Sequence, residues 1–175
     1  YDTLRIIVTK NVDDNGMPVE LWQSAEGITR NWQYLGDLQP YMLNFLENHD
    51  EQRFASGFFG KDGANSFAAL NVSLCLNRAP FMLYMGEELG ENGMDAEGFS
   101  GADGRTTIFD WWSVKSLRTL NTIIHRNLYQ SIESGTIDAA TLEENGISEH
   151  EAMIFRRYAK LLRLAASSEA LRKGM

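Results

Sequence analysis

The most constraining feature of this chain is an apolar run that stops abruptly at a polar tetrad. The run spans residues 41–46, and the polar residues after it are Glu47, Asn48, His49 and Asp50. Pro40 precedes the run, whose length and near-continuous apolar character are typical of a strand buried on both faces. In parallel α/β folds, ligand-binding side chains gather where strands end. The segment therefore predicts a buried strand that ends in a functional site.

A second apolar run, residues 81–85, follows Pro80 and ends at Gly86, Glu87 and Glu88. Residues 64–79, between the two runs, predict a helix that is apolar over much of its circumference. A strand, a helix and a strand in this order form a βαβ unit, whose strands run parallel. We therefore expect Asp50 and Glu87 to lie at the same edge of a small parallel sheet.

Both segments resemble motifs of one enzyme family. NFLENHDEQR, residues 44–53, resembles the strand-seven motif of the alpha-amylase family (glycoside hydrolase family 13), and PFMLYMGEELG, residues 80–90, is similar to its strand-eight motif. The resemblance implies an α/β fold: the helix-rich C-terminal portion of a TIM (β/α)₈ barrel with two parallel strands. The whole chain, residues 1–175, would span roughly helix six to helix eight. Glu47 stands where many members carry Asp, which leaves subsite detail open.

The resemblance also assigns roles to individual residues. Asp50 matches the family's transition-state-stabilising carboxylate, and His49 matches the histidine that donates to sugar hydroxyls beside it. The other candidate substrate-binding residues are Arg53, Tyr84, Glu87 and Trp111. Each has a structural alternative: an ion pair between Arg53 and Glu87, and packing for Tyr84 and Trp111.

A retaining glycosidase needs one carboxylate as nucleophile and a second carboxyl as acid and base. In the family these belong to strands four and five, and nothing in this chain matches those motifs. A length of 175 residues is also short of the about 250 of a whole barrel. We therefore expect a fragment that is inactive alone, from a parent that hydrolyses or transfers alpha-glucans such as starch and maltooligosaccharides.

Two other functions remain open. One is a non-catalytic glucan-binding or assembly module derived from the same barrel. The other is a helical interaction domain with chance similarity, which a helix over residues 41–50 would favour.

The composition of the chain limits the classes of binding partner that we expect. Sixteen Lys and Arg against 24 Asp and Glu give a net charge of -8, which disfavours nucleic acid. No apolar run approaches the roughly 18 residues of a membrane span.

Bare strand edges predict a homodimer if the chain folds alone. We expect no cofactor in this chain. We also expect no metal site at Glu47, His49 and Asp50, because adjacent strand residues point to opposite faces. The resemblance leaves a calcium site in the parent open.

Helices are expected around this unit. Ser24 is placed to cap a helix with Ile28, Trp32 and Leu35 on one stripe. Ser113 is placed to cap a later helix, whose apolar positions are Val114, Leu117, Leu120, Ile124 and Leu128 and whose region ends at Gly135. Residues 137–146 suggest a short extra helix.

Two further signals flank these helices. Ser148 and Glu151 form a capping box, and the helix after it has Ile154 and Tyr158 on its apolar face. The glycine-rich residues 90–109 are unpatterned, and we interpret them as a loop that walls a sugar cleft. The aromatic candidates of that wall are Phe109, Trp111 and Trp112.

Overall fold

A computed structural model describes residues 4, 8, 17, 21–76, 78–93, 104–106 and 114–173. Within these residues the α-helices are α1 (Leu21–Leu35), α2 (Phe67–Cys75), α3 (Lys115–His125), α4 (Tyr129–Ser134), α5 (Ala139–Glu144), α6 (Glu149–Ser167) and α7 (Glu169–Lys173). The 3₁₀ helices are Gly36–Tyr41, Gly63–Ser66 and Glu87–Leu89.

Helix α6 connects two hydrophobic clusters. On one side, Ile154 and Tyr158 pack with the first cluster, whose other buried members are Leu46, Phe54, Phe59, Ala69 and Leu70. On the other side, Ala152 belongs to the second cluster, with Leu89, Ile123, Ile132, Leu142 and Ile147. Leu46 belongs to the first cluster and Leu89 to the second. Because α6 contributes to both clusters, both motif segments are anchored to the helices.

The two motif segments pair in parallel through one bridge. Asn44 N donates to Pro80 O at 2.9 Å, and Met82 N donates to Asn44 O at 2.8 Å, which joins Asn44 to Phe81. The described residues contain no longer strand, so the two predicted parallel strands are not confirmed as strands. The extended stretch is short because a 3₁₀ helix occupies residues 36–41 and a side-chain-bonded turn begins at Asn48.

The prediction of two-sided burial for the first segment is wrong at its start. Pro40 lies inside the 3₁₀ helix, and Tyr41 is 84% exposed, with Met42 and Leu43 also exposed. Burial begins at Leu46 and Glu47. The exposed residues precede the bridge at Asn44 and face solvent.

Other helix faces also differ from the prediction. Trp32 is 40% exposed, although it lies on the predicted apolar stripe of α1. In α3 the fully buried residue is Ile123, and its neighbour Ile124 is exposed. Helix α2 buries Ala69, Leu70 and Ser73 rather than most of its circumference, because α6 packs against one side of it. Ser113 lies outside the described residues.

Local signals predict most helix ends more accurately, although Ser24 lies inside α1 and does not cap it. Ser148 and Glu151 form the expected capping box at the start of α6. Gly135 ends α4 with a left-handed backbone, and the short extra helix is α5. A break at Asn127, with φ of 55°, splits the predicted helix into α3 and α4. In the part of the chain described here, none of the helices has the length and apolar character needed to span a membrane.

Candidate functional site

The site begins at a turn that Asn48 organises. Its side-chain Oδ1 accepts from Asp50 N at 2.8 Å and from Glu51 N at 2.9 Å. Asparagine commonly stabilises turns by bonding to backbone N–H groups two or three residues on. The turn ends the extended segment and presents the side chains of His49 and Asp50 outward. The backbone of residues 42–50 is not helical, so the condition that would favour a helical interaction domain is not met.

His49 and Asp50 form an exposed polar pair. His49 Nε2 lies 3.2 Å from Asp50 Oδ2, with side chains that are 55% and 76% exposed. Exposed pairs of this kind contribute little to folding, about 0–1 kcal/mol. A carboxylate acceptor beside an imidazole N–H is suited to a ligand that presents neighbouring hydroxyls.

Arg53 lies beneath this pair and is fully enclosed. Its guanidinium donates to Glu47 Oε2 at 3.1 Å, to Met85 O at 2.8 Å and to Thr106 Oγ1 at 2.6 Å. Its backbone N donates to Gly104 O at 2.7 Å. One side chain therefore ties together the turn after the first segment, the end of the second segment and residues 104–106.

Glu47 is the carboxyl partner of Arg53. The predicted ion pair between Arg53 and Glu87 is wrong, because the guanidinium faces Glu47 across the turn instead. Burial raises the pKa of Glu47 to about 7, and the Arg53 guanidinium opposes that rise. Glu47 is 1% exposed, so its charge is stabilised by Arg53 rather than by water.

Glu87 is also enclosed. It is 2% exposed, and its Oε1 lies 3.0 Å from Tyr158 Oη while its Oε2 accepts from Tyr84 N at 3.3 Å. Burial raises the pKa of Glu87 well above its ordinary value, and the nearby Glu47 carboxylate raises it further. Glu87 and Asp50 both follow the parallel bridge along the chain, but Glu87 turns into the protein and Asp50 turns to solvent.

Tyr84 is half-buried between the two groups. The Arg53 guanidinium carbon lies 4.3 Å from the centroid of its ring, within the range of cation–π attraction. Burial raises the pKa of Tyr84, and the charges of Glu47 and Asp50 raise it further while Arg53 opposes them. Both the exposed Asp50 carboxylate and the enclosed Glu47 carboxylate therefore act on the pKa of Tyr84.

The remaining site candidates belong to the glycine-rich loop. Trp111, Phe109 and Trp112 lie outside the described residues. Of the loop that was expected to wall a cleft, residues 90–93 and 104–106 are described. Arg53 holds the second of these stretches through Gly104 and Thr106.

The sequence prediction missed several polar residues of this cluster. Tyr158, Ser66 and Thr106 are buried, and each makes a side-chain hydrogen bond within it. A tyrosine on the apolar face of α6 was the available signal for Tyr158, because a buried phenol usually needs a polar partner. Ser66 and Thr106 carry no such signal in the sequence.

Among the described residues, no group of three or more His, Cys, Asp and Glu side chains is arranged to hold a metal ion. Glu47 is turned inward to Arg53 while His49 and Asp50 are exposed, so these neighbours do not converge on one point.

Comparison with known proteins gives one match. A family model described as alpha amylase, catalytic domain, matches residues 9–174. Comparisons with curated proteins and with solved structures found no match for the chain.

Proposed function

Because the chain belongs to the alpha-amylase catalytic-domain family, we propose that it is a C-terminal part of a (β/α)₈ barrel of glycoside hydrolase family 13 and binds alpha-glucan. The observation that carries this proposal is the exposed pair of His49 and Asp50, held by the Asn48 turn above the enclosed Arg53 and Glu47. The whole parent would act on starch or maltooligosaccharides with retention of configuration.

In this proposal Asp50 accepts hydrogen bonds from ring hydroxyls and favours the distorted, positively charged transition state. His49 donates to a neighbouring hydroxyl, and the half-buried Tyr84 borders the same side of the site. Trp111 remains a candidate for stacking on a sugar ring. Preorganised groups of this kind supply about 2.7 to 4 kcal/mol of transition-state stabilisation each.

Arg53 and Glu87 take a different role from the one their motifs first implied. Arg53 is 0% exposed and Glu87 2% exposed, so neither offers a surface to a sugar. We assign Arg53 to holding the loops around the site, because its donors reach Glu47, Met85 and Thr106. A residue that fixes a ligand-contacting loop affects binding without touching the ligand.

Bond cleavage requires a nucleophile and a proton donor in addition to these groups. We propose that the 175-residue chain alone binds glucan without cleaving it, since no segment of it matches the family's strand-four and strand-five motifs. A non-catalytic glucan-binding module would behave in the same way alone, and the two functions separate when a parent supplying both carboxylates is assayed.

Calorimetric titration of the full chain with maltoheptaose tests the binding. We expect weak, saturable binding that Asp50→Asn and His49→Ala reduce at least about tenfold, the loss of roughly one charge-assisted hydrogen bond. Asp37→Asn and His125→Ala are matched controls, because both residues are exposed and lie in other elements, and they should leave affinity unchanged. Equal binding by the Asp50 and Asp37 variants would contradict the site, and release of shorter sugars by the chain alone would contradict its inactivity.

A further inference from the structure

A line of close oxygen contacts runs from the 3₁₀ helix Gly63–Ser66 to the buried Glu87. Ser66 Oγ lies 2.7 Å from Gly63 O, Tyr158 Oη lies 2.8 Å from Ser66 Oγ, and Glu87 Oε1 lies 3.0 Å from Tyr158 Oη. Ser66, Tyr158 and Glu87 are each at most 2% exposed. Water therefore does not supply the protons for these contacts, and the side chains must provide them.

The number of available protons determines the direction of each hydrogen bond. Gly63 O is a carbonyl and accepts only, so the Ser66 hydroxyl must donate to it. The single proton of Ser66 is then used, and the contact with Tyr158 requires the phenol to donate. The phenol proton is then used as well. The contact between Tyr158 and Glu87 can be a hydrogen bond only if the proton comes from Glu87.

An ionised Glu87 leaves one contact without a proton. If the phenol donated to a Glu87 carboxylate, Ser66 would have to donate both to Tyr158 and to Gly63 with one hydroxyl proton. Two oxygen lone pairs would then face each other at 2.7 or 2.8 Å in a region closed to water. Buried polar groups without a partner are costly, so this arrangement is disfavoured.

The second oxygen of Glu87 fits the same protonation state. Oε2 accepts from Tyr84 N at 3.3 Å, while Oε1 faces the phenol. A neutral carboxylic acid has one hydroxyl donor and one carbonyl acceptor. We propose that Glu87 is held as a neutral carboxylic acid that donates to Tyr158, accepts from Tyr84 N and so positions Tyr84 beside the exposed pair.

The charges around Glu87 agree with this state. From the turn after the first segment, Glu47 and Arg53 face it, and their opposite charges form a pair of their own. From α6 it meets Tyr158 and from its own segment the backbone of Tyr84, while the uncharged Ser66 lies on the other side of the Tyr158 hydroxyl. Burial raises the pKa of Glu87 and that of Tyr158, so both groups favour their protonated forms.

The neutral acid joins elements that are far apart in sequence. It connects α6 and the 3₁₀ helix Gly63–Ser66 to the backbone of Tyr84, whose ring lies against Arg53. The protonation state of Glu87 stands on these contacts alone. Its positioning role rests on the proposed function, because Tyr84 matters for sugar only if the site binds sugar.

Infrared spectroscopy of the full chain, with ¹³C-labelled glutamate side chains, measures the protonation state directly. We expect the difference between the wild type and Glu87→Gln at neutral pH to show loss of a protonated-carboxyl carbonyl band. Glu144→Gln, at an exposed position at the end of α5, is the reference for removal of a surface glutamate. Loss of carboxylate bands alone in the Glu87→Gln difference would overturn the proposal.

Stability of two substitutions separates a neutral acid from a buried charge. The amide of Glu87→Gln keeps one donor and one acceptor, so we expect its melting temperature to stay near that of the wild type while Glu87→Ala loses stability. Equal losses for both variants would overturn the proposal.

Maltoheptaose titration of the same variants tests the positioning role: Glu87→Ala should weaken binding and Glu87→Gln should preserve it. If the wild type binds no glucan, the proposed function fails, while the infrared and stability results still decide the protonation state.

Discussion

At the scale of single residues, the site has an exposed layer and an enclosed layer. His49 and Asp50 are open to solvent, and Arg53, Glu47 and Glu87 lie beneath them with almost no exposed surface. The enclosed groups are costly to bury, and each is paired within the protein. The exposed Asp50 carboxylate therefore lies on an enclosed layer of side chains whose hydrogen bonds hold them in fixed positions.

The enclosed layer predicts a strong effect of one substitution. Arg53→Leu removes the donors to Glu47, Met85 and Thr106, and we expect a loss of about 3 to 5 kcal/mol in the free energy of unfolding measured in urea. Arg30→Leu is the matched control. It breaks an exposed i,i+4 pair with Glu26 and should cost no more than about 0.5 kcal/mol. Similar losses for the two variants would contradict the buried role of Arg53.

The sequence predicted where single side chains lie but not which residues they contact. Periodicity placed Tyr158 on the buried face of α6, which is where it lies. It could not show that the phenol meets Ser66 and Glu87, because those contacts depend on how three distant segments pack. The ion pair of Arg53 was assigned to the wrong carboxyl for the same reason: sequence order does not show which way the turn folds.

At the scale of elements, the tight turn after the second segment decides which side chains point inward. The 3₁₀ helix Glu87–Leu89 is flanked by Gly86 and Gly90, both with left-handed backbone, at φ of 88° and 73°. Left-handed backbone favours glycine, because a Cβ is strained there. The turn buries both Glu87 and Leu89, with Leu89 in the second hydrophobic cluster, and it packs against α6.

Gly90 therefore has two reasons to be glycine. A Cβ added there would lie 2.8 Å from Ile154 Cδ1, in addition to the left-handed strain. We expect Gly90→Ala to lower the free energy of unfolding by about 1 to 3 kcal/mol more than Gly36→Ala does. Gly36 is the matched control, since it also has positive φ, at 47°, but its Cβ would meet nothing within 4 Å. Equal losses in chemical denaturation would contradict the packing described for Gly90.

Elements defined by short-range signals were predicted, and those defined by pairing were not. The capping box of α6 and the glycine end of α4 depend on residues a few positions apart. The two extended segments depend on neighbours across space. Here they share one bridge, because a 3₁₀ helix and the Asn48 turn take the residues on either side.

At the scale of the whole molecule, the first motif segment has an exposed apolar start. Tyr41 is 84%, Leu43 51% and Met42 42% exposed. We expect the chain in isolation to self-associate through this segment, since contiguous exposed apolar side chains are typical of interaction sites. Sedimentation velocity should show a dimer that Leu43→Lys converts to monomer. Ile124→Lys, at a 57% exposed position on α3, should not have this effect. A concentration-independent wild-type monomer would contradict this.

The buried carboxyls predict a characteristic pH dependence of stability. Glu47 and Glu87 have raised pKa values in the folded chain, so their contribution is complete at low pH. The contribution of Glu47 is lost as pH rises from about 4.5 through about 7, and that of Glu87 is lost well above its ordinary pKa. For Glu47 alone this change corresponds to about 3 kcal/mol. The pKa values of Glu151 and Asp62 are lowered, despite some burial, by hydrogen bonds, so their contribution is lost as pH falls through the acidic range.

We therefore expect the melting temperature to be highest at mildly acidic pH and to fall on both sides. Glu47→Gln should flatten the neutral side of the profile, whereas Glu144→Gln, at an exposed position, should leave its shape unchanged. A melting temperature that rises steadily from pH 5 to pH 8 would contradict the raised pKa values.

We propose that the exposed pair of His49 and Asp50 is the place where this alpha-amylase family chain binds sugar. The most direct test of this proposal is nuclear magnetic resonance of the isotopically labelled chain during titration with maltoheptaose. We expect saturable chemical-shift changes centred on His49, Asp50 and Tyr84, and none at the exposed His125 on α3. Saturable changes centred elsewhere, or no changes at these three residues, would contradict it.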